Sequence, residues 1–326
     1  MEIAKEKLLG IYERMATIRQ FEERVREEFA ANRIPGFVHL YAGEEAVAVG
    51  VCAHLSDEDM ITSTHRGHGH CIAKGVDVKA MMAELYGRAT GACKGKGGSM
   101  HIADLDRGML GANGIVGGGI PLACGAALSA QVLGKDNVAV SFFGDGGANE
   151  GSFHEGLNLA GVWQLPAIFV AENNGWAEST SSDYSVAGAD IAGRARAYGI
   201  RGEVVDGLDL FDVYEKAGKA IAAARAGEGP TLLECKTYRF YGHHEGDKQG
   251  YRSQEEVEEY RKNHCVIKNF RARMTDENVL TDEELDEIET RVAESIESAV
   301  AYAADSPWPD PSDVTEDVYV NYKEVL

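Results

Sequence analysis

The chain has 326 residues, enough to bury a large core without disulfide or metal staples. Its 32 basic and 53 acidic residues give a net charge of −21, which argues against a nucleic-acid binder and requires any phosphate to be held by a locally built site. The six cysteines (Cys52, Cys71, Cys93, Cys124, Cys235, Cys265) include no Cys-x-x-Cys pair, so a zinc ribbon or thioredoxin motif is not expected, and reduced thiols in a cytoplasmic compartment are.

The N-terminal stretch is charged and amphipathic, with neither a signal-peptide core nor a cleavage site. Residues 4–31 place Leu8, Ile11, Met15, Ile18, Val25 and Phe29 on one face, which predicts a long first helix. A turn leads to a second helix near Glu44. Asp59 to Thr64 reads as a short strand or loop feeding the histidine-rich THRGHGH. From Gly87 to Gly125 glycines crowd the chain and permit close backbone approach. The longest weakly polar stretch, Gly108 to Leu133, is broken by glycines and a proline and does not read as a membrane span.

The most regular pattern follows. Asn137–Phe143 reads as a buried strand ending at Gly144-Asp145-Gly146-Gly147, a helix is expected over about Glu150–Val162, and Pro166–Ala171 is a second buried strand ending at Glu172-Asn173-Asn174. Strand, helix and strand within about 35 residues make a βαβ unit with a parallel sheet. Thr231–Cys235 extends the sheet, after a helix within 206–226. YGHHEGDKQGYRS reads as a mobile loop. Thr281 and Glu284 form a capping-box pattern that opens a helix striped by Leu285, Ile288, Val292, Ile296 and Val300.

No repeat or linker interrupts this pattern, so the fold class is α/β, a mostly parallel sheet with helices on both faces and helical N- and C-terminal additions. A single domain over 1–326 is expected. It comprises a helical part (1–60), a cofactor-binding core (61–235), an active-site loop (236–262) and a helical C-terminal part (263–326).

In a parallel sheet, Asp145 and Asn174 lie at the carboxyl edge, where open α/β sheets bind ligands. A carboxylate, an amide oxygen and a nearby backbone carbonyl make a hard oxygen half-shell suited to Mg2+ and diphosphate. The glycines flanking Asp145 let phosphates approach, and the next helix N-terminus adds N–H groups. A zinc cluster of His65, His68 and His70 has no carboxylate or cysteine at recognised spacing. Gly91 to Lys96 has the wrong spacing for a P-loop, and GDGGAN is a weak dinucleotide fingerprint.

Seven motifs, GFVHLYAGEEA, RGHG, GKGGSMH, GANGIVG, GDGGANEG, ENNGWA and YRFYGHHEGD, run in the same order as in alpha subunits of thiamine-diphosphate-dependent E1 dehydrogenases. The chain resembles that family over about 210 residues. The resemblance implies a thiamine-diphosphate-binding fold. It implies Asp145 and Asn174 as Mg2+ ligands with the Trp176 carbonyl, and Arg66, His39 and His65 around the diphosphate. Gly144, Gly146 and Gly147 would lie beside the phosphates, and Gly114 and Val116 would hold the aminopyrimidine by backbone groups. His243 would be an active-site proton handler near neutral pH, with His39 beside it in the catalytic set. Pyruvate members often carry tyrosine where this chain has His65.

The cofactor would supply a carbon nucleophile and an electron sink. A beta subunit would supply the activating glutamate in a heterotetramer of two alpha and two beta subunits. A lipoyl-bearing E2 would receive the two-carbon unit. STHRGHGHCIAKG with YGHHEGD resembles acetoin-type alpha subunits more than pyruvate or branched-chain ones, which often read HGHSMSDP at the loop. A small carbonyl substrate, no nucleic acid and no membrane are implied. A Mg-dependent nucleotide or NAD enzyme and a non-catalytic scaffold subunit stand as the alternatives from other classes.

Overall fold

A computed structural model describes residues 3–188 and 190–318. Residues 319–326 of the expected helical C-terminal part lie outside the described residues. In chain order, α1 (Lys5–Ala30), α2 (Glu45–Cys52), β1 (Met60–Thr62), α3 (His68–Lys74), α4 (Val78–Leu85), β2 (Met109–Gly111) and α5 (Gly119–Val132) make up the first part. Then come β3 (Ala139–Gly144), α6 (Gly151–Trp163), β4 (Ala167–Asn173) and a two-stranded hairpin of β5 (Trp176–Ala177) and β6 (Thr180–Ser181). The short α7 (Ser182–Ser185), β7 (Arg201–Asp206), α8 (Leu210–Arg225) and β8 (Thr231–Lys236) follow, and α9 (Gln254–Asn263), α10 (Val266–Asp276) and α11 (Asp282–Asp305) close the chain.

The main sheet has six strands in the order β2-β1-β3-β4-β8-β7, and every pairing is parallel. Alternation decides which side chain goes to which face. Val140, Phe142, Ile168 and Val170 enter the core shared with α1, α2, α8 and α11. Ala139, Phe143, Ala167 and Phe169 enter the core under α5 and α6. Burying each of these aromatic side chains is worth about 1.5–3 kcal/mol, which is why the central strands are apolar on both faces.

The long helices form as their patterns predict, with one exception in α1. Its buried face includes Glu22 and Glu28, and Phe29 is only partly covered. Glu22 accepts the Tyr41 N–H at 2.9 Å and faces His68 Nδ1 at 3.0 Å, so polar contacts join the apolar ones on this face. Thr281 and Glu284 make the capping box that opens α11. Asp77 and Asp209 cap α4 and α8.

Two strands of the main sheet escape the sequence reading. β7 is an edge strand whose only buried residue is Val205, so it shows no apolar run. β2 has three residues. No helix among the described residues is long and apolar enough to cross a membrane.

Candidate active site

Four parallel strands end at one edge of the sheet. β1 leads into Ser63–Arg66, β3 into Asp145, β4 into Asn174, and β8 into Thr237–Arg239. The register sets Gly144 opposite Glu172, which carries the two loops that follow forward side by side. A sheet of this polarity therefore brings Ser63–Arg66, Asp145, Asn174 and Thr237–Arg239 to one edge.

Asp145 is buried, and its Oδ2 has no hydrogen-bond partner. Burial raises its pKa to about 6. Asn174 is also buried. Its Nδ2 donates to Glu44 Oε1 at 3.1 Å, and its Oδ1 accepts the Trp176 N–H at 3.2 Å. The Trp176 carbonyl accepts from Arg239 Nη1 at 2.7 Å, and the same guanidinium donates to the Glu178 carbonyl and the Tyr251 hydroxyl, each at 2.7 Å.

The two glycines beside Asp145 differ. A Cβ on Gly144 would meet open space, whereas one on Gly146 would lie 2.8 Å from Ala177 Cβ. Only Gly144 therefore leaves room for a ligand, while Gly146 is small because the 176–178 segment packs on it. Gly147 opens a 3-10 turn (Gly147–Asn149) before α6 begins, so the N–H groups nearest Asp145 belong to that turn rather than to the helix start expected from sequence. Thr64, His65, Ile115, Val116, Gly117 and Gly144 line one cleft. Gly114 lies against His101.

His39, His65 and His243 converge, with ring centroids 4.6–5.1 Å apart. Burial, reinforced by the neighbouring imidazoles and Arg66, lowers the pKa of His39 to about 2. Burial with Arg66 and the other cations lowers His65 to about 3 and His243 to about 4. All three are neutral at pH 7, and Nδ1 of both His39 and His243 is buried without a partner. A role for His243 in proton handling would therefore start from the neutral imidazole. A neutral imidazole in this position can accept a proton or donate its own N–H, but it does not carry a standing charge. Arg66 is buried among them, donating to the Leu40 carbonyl at 2.7 Å and the His243 carbonyl at 3.0 Å.

His68 and His70 point away from the cleft. His68 lies between Glu22 and Ser99, and His70 between Ser63 and Glu172, all four contacts at 2.7–3.0 Å.

Residues 242–251 are pinned rather than free. Asp247 accepts the His243 N–H and the Gln249 N–H, each at 2.8 Å, and the Tyr251 hydroxyl at 2.6 Å. Arg252 donates to the carbonyls of Arg239 at 2.8 Å and Tyr241 at 2.5 Å. Sequence reasoning read this stretch from its glycines and missed Asp247. It also missed Arg239 and Glu44, although both stand inside motifs it quoted.

The dehydrogenase E1 component family matches residues 13–312 of the chain. The chain belongs to the dehydrogenase E1 component family. It is 58% identical to the alpha subunit of acetoin:2,6-dichlorophenolindophenol oxidoreductase from Bacillus subtilis (strain 168), covering 99% of this chain and 97% of that one. The Cupriavidus necator protein of the same name is 57% identical over the same shares. The alpha subunit of the Rhizobium meliloti pyruvate dehydrogenase E1 component is 40% identical over 97% and 91%.

E1 components depend on thiamine diphosphate, and the donor chemistry of this E1 chain suits that group. Asp145 Oδ2, His39 Nδ1 and His243 Nδ1 are buried polar atoms in want of partners, and Gly144 leaves space beside Asp145. Buried polar groups without partners are rare in folded proteins, and three of those in this chain belong to this site. A cavity of about 730 Å3 lies elsewhere, between Met60, Leu105, Leu122 and Leu133. It is a mostly apolar surface groove whose lining includes Asn137, and none of the residues after the strand ends reaches it.

Proposed function

We propose that this chain is the alpha subunit of an E1 enzyme that uses thiamine diphosphate and Mg2+ to cleave acetoin and pass the oxidised two-carbon unit to a lipoyl-bearing E2. The observation that carries the cofactor reading is the pair of orphaned or amide-oriented oxygens at adjacent strand ends, Asp145 Oδ2 and Asn174 Oδ1. The acetoin reading rests on identities of 57–58% to acetoin-named relatives against 40% to a pyruvate-named one.

Asp145, Asn174 and the Trp176 carbonyl would hold the metal, with Arg66 and the open side of Gly144 toward the diphosphate. Backbone groups of Gly114 and Val116 would bind the aminopyrimidine. The bound cofactor supplies the carbon nucleophile that cleavage beside a carbonyl requires. The chain's own contribution is to exclude water and to hold neutral His39 and His243 near the reacting carbonyl. There a neutral imidazole donates or accepts a proton without first losing a charge.

A beta subunit completes the site, in a heterotetramer of two alpha and two beta subunits. Supporting this, Val132, Leu133, Val162 and Trp163 at the ends of α5 and α6 are apolar yet 75%, 66%, 68% and 46% exposed. Gln131 Nε2 ties the two helix ends together at the Trp163 carbonyl, 3.2 Å away. The six free cysteines, five of them buried, are compatible with a cytoplasmic enzyme.

The test is dye reduction by the chain co-expressed with its beta subunit, with and without thiamine diphosphate and Mg2+, offering acetoin, pyruvate and branched 2-oxoacids in parallel. Cofactor-dependent reduction with acetoin is expected. Reduction with a 2-oxoacid alone would overturn the acetoin assignment, and no cofactor dependence would overturn the whole reading.

A further inference from the structure

Asn174 differs from Asp145 in a way that matters to a cation. A carboxylate presents an oxygen whichever way it turns. A side-chain amide has one oxygen and one NH2, so it serves as a ligand only when held the right way round. Something must hold it.

The holding begins in the turn before α2. Gly43 has φ +108, and a Cβ there would lie 2.3 Å from the Tyr238 carbonyl oxygen, so this turn passes directly beneath the segment that follows β8. The adjacent acids Glu44 and Glu45 then part company. Glu45 turns back, accepting the Gly43 N–H at 3.1 Å and Arg19 Nε at 2.7 Å. Glu44 turns across to the end of β4, where its Oε1 accepts from Asn174 Nδ2 at 3.1 Å. Both side chains are buried, so water cannot substitute in either contact.

A flip of the Asn174 amide would set its oxygen against Glu44 Oε1 and its NH2 against the Trp176 N–H. That arrangement is acceptor to acceptor and donor to donor. With Glu44 in place, only one orientation satisfies both neighbours. Without it, Nδ2 is a buried donor with no partner, and the Trp176 N–H at 3.2 Å is the one remaining guide. The contact holds whether Glu44 is ionised or protonated, because in both forms Oε1 accepts.

We propose that Glu44 is a positioning residue for the metal site, fixing the Asn174 amide so that Oδ1 faces the cation. The inference rests on the reading of Asn174 as a ligand. Glu44 Oε2 lies 3.7 Å from Arg66 Nε, so the same side chain also spans from the metal end to the diphosphate end of the site.

A double-mutant cycle separates orientation from charge. Mn2+ binding to the assembled alpha–beta complex, in the presence of thiamine diphosphate, is followed by the electron paramagnetic resonance signal of the free ion. Glu44→Ala is expected to weaken Mn2+ binding about tenfold, the usual lower bound for losing an outer-shell partner. Glu44→Gln keeps an acceptor at the same place and should recover most of that loss.

In an Asn174→Asp background there is no amide to orient, because either carboxyl oxygen can face the cation. There Glu44→Ala should leave Mn2+ binding unchanged or tighten it. Weakening by Glu44→Ala in both backgrounds would show that the charge alone acts, and would overturn the proposal. Equal binding by Glu44→Ala and the unsubstituted complex would overturn it too. Failure of the unsubstituted complex to bind Mn2+ at all would instead overturn the reading of the site on which it rests.

Discussion

The Arg239 guanidinium donates to the Trp176 carbonyl at 2.7 Å, joining the segment after β8 to the segment after β4 across the mouth of the site. Its further bonds to the Glu178 carbonyl and the Tyr251 hydroxyl make it a clamp on three chain segments. Arg239→Met deletes three charge-assisted hydrogen bonds and leaves two carbonyls without that donor. At about 1.5 kcal/mol or more per bond, a loss of about 3–5 kcal/mol is expected. Urea denaturation measures it, and a midpoint within error of the unsubstituted protein would show that the clamp is dispensable.

Asp247 performs the equivalent task for the 242–251 loop. Asp247→Ala removes the acceptor of the His243 N–H, the Gln249 N–H and the Tyr251 hydroxyl, so the loop should open locally while the core stays folded. Limited proteolysis within 242–250 should accelerate at least about tenfold, with little change in thermal midpoint. A global loss of stability with no selective cleavage would contradict this assignment.

The histidine cluster predicts a pH dependence with a definite sign. His39, His65 and His243 have folded pKa values of about 2, 3 and 4, below the ordinary 6.5. Between pH 6.5 and 4 the unfolded chain therefore binds more protons than the folded one. The stability these neutral imidazoles contribute is present above pH 6.5 and is lost as pH falls. In the cofactor-free protein, urea midpoints from pH 7.5 to 5 should decline steeply. His65→Asn should flatten the slope by about 1.4 kcal/mol per pH unit. An unchanged slope would mean that His65 titrates alike in the folded and unfolded chains.

Asp145 sets stability against function. Its carboxylate is buried without a partner for Oδ2, and its raised pKa of about 6 means that ionisation at pH 7 costs up to about 3 kcal/mol. Asp145→Asn removes that cost, so the cofactor-free protein should melt a few degrees higher. The melting-point rise on adding Mg2+ and thiamine diphosphate should vanish, and turnover should fall below about a thousandth of normal. A preserved ligand-induced shift in differential scanning fluorimetry would remove Asp145 from the metal site.

The apolar ends of α5 and α6 make the assembly testable. Val162→Glu and Trp163→Glu place charges on a face already open to solvent, so the isolated alpha chain should remain folded. Co-purification with the beta subunit should be lost, as judged by size-exclusion chromatography, and turnover with it. Normal assembly of both variants would assign this face to some other role.

Much of this protein was legible along the chain. The strands Ala139–Gly144 and Ala167–Asn173 are buried on both faces, so their apolar runs are unbroken. Asp145 and Asn174 follow directly, and strand polarity alone sends them to the same edge. The capping box at Thr281 is local chemistry and was equally plain.

What sequence could not decide depends on contacts between distant segments. β7 is mostly exposed and lacks an apolar signature, so only its pairing with β8 makes it a strand. Of the three histidines in THRGHGH, only His65 turns to the cleft. His68 and His70 sit on α3, facing Glu22 and Glu172 from other elements. Gly144 and Gly146 look alike on paper, but Ala177 closes the space beside one of them. The orientation of Asn174 is set by Glu44, 130 residues earlier. Residue type and order determined which groups were available and which strand ends would carry them. Burial and long-range hydrogen bonding, which exist only once the sheet has brought those ends together, decided which way each group faces and what charge it bears.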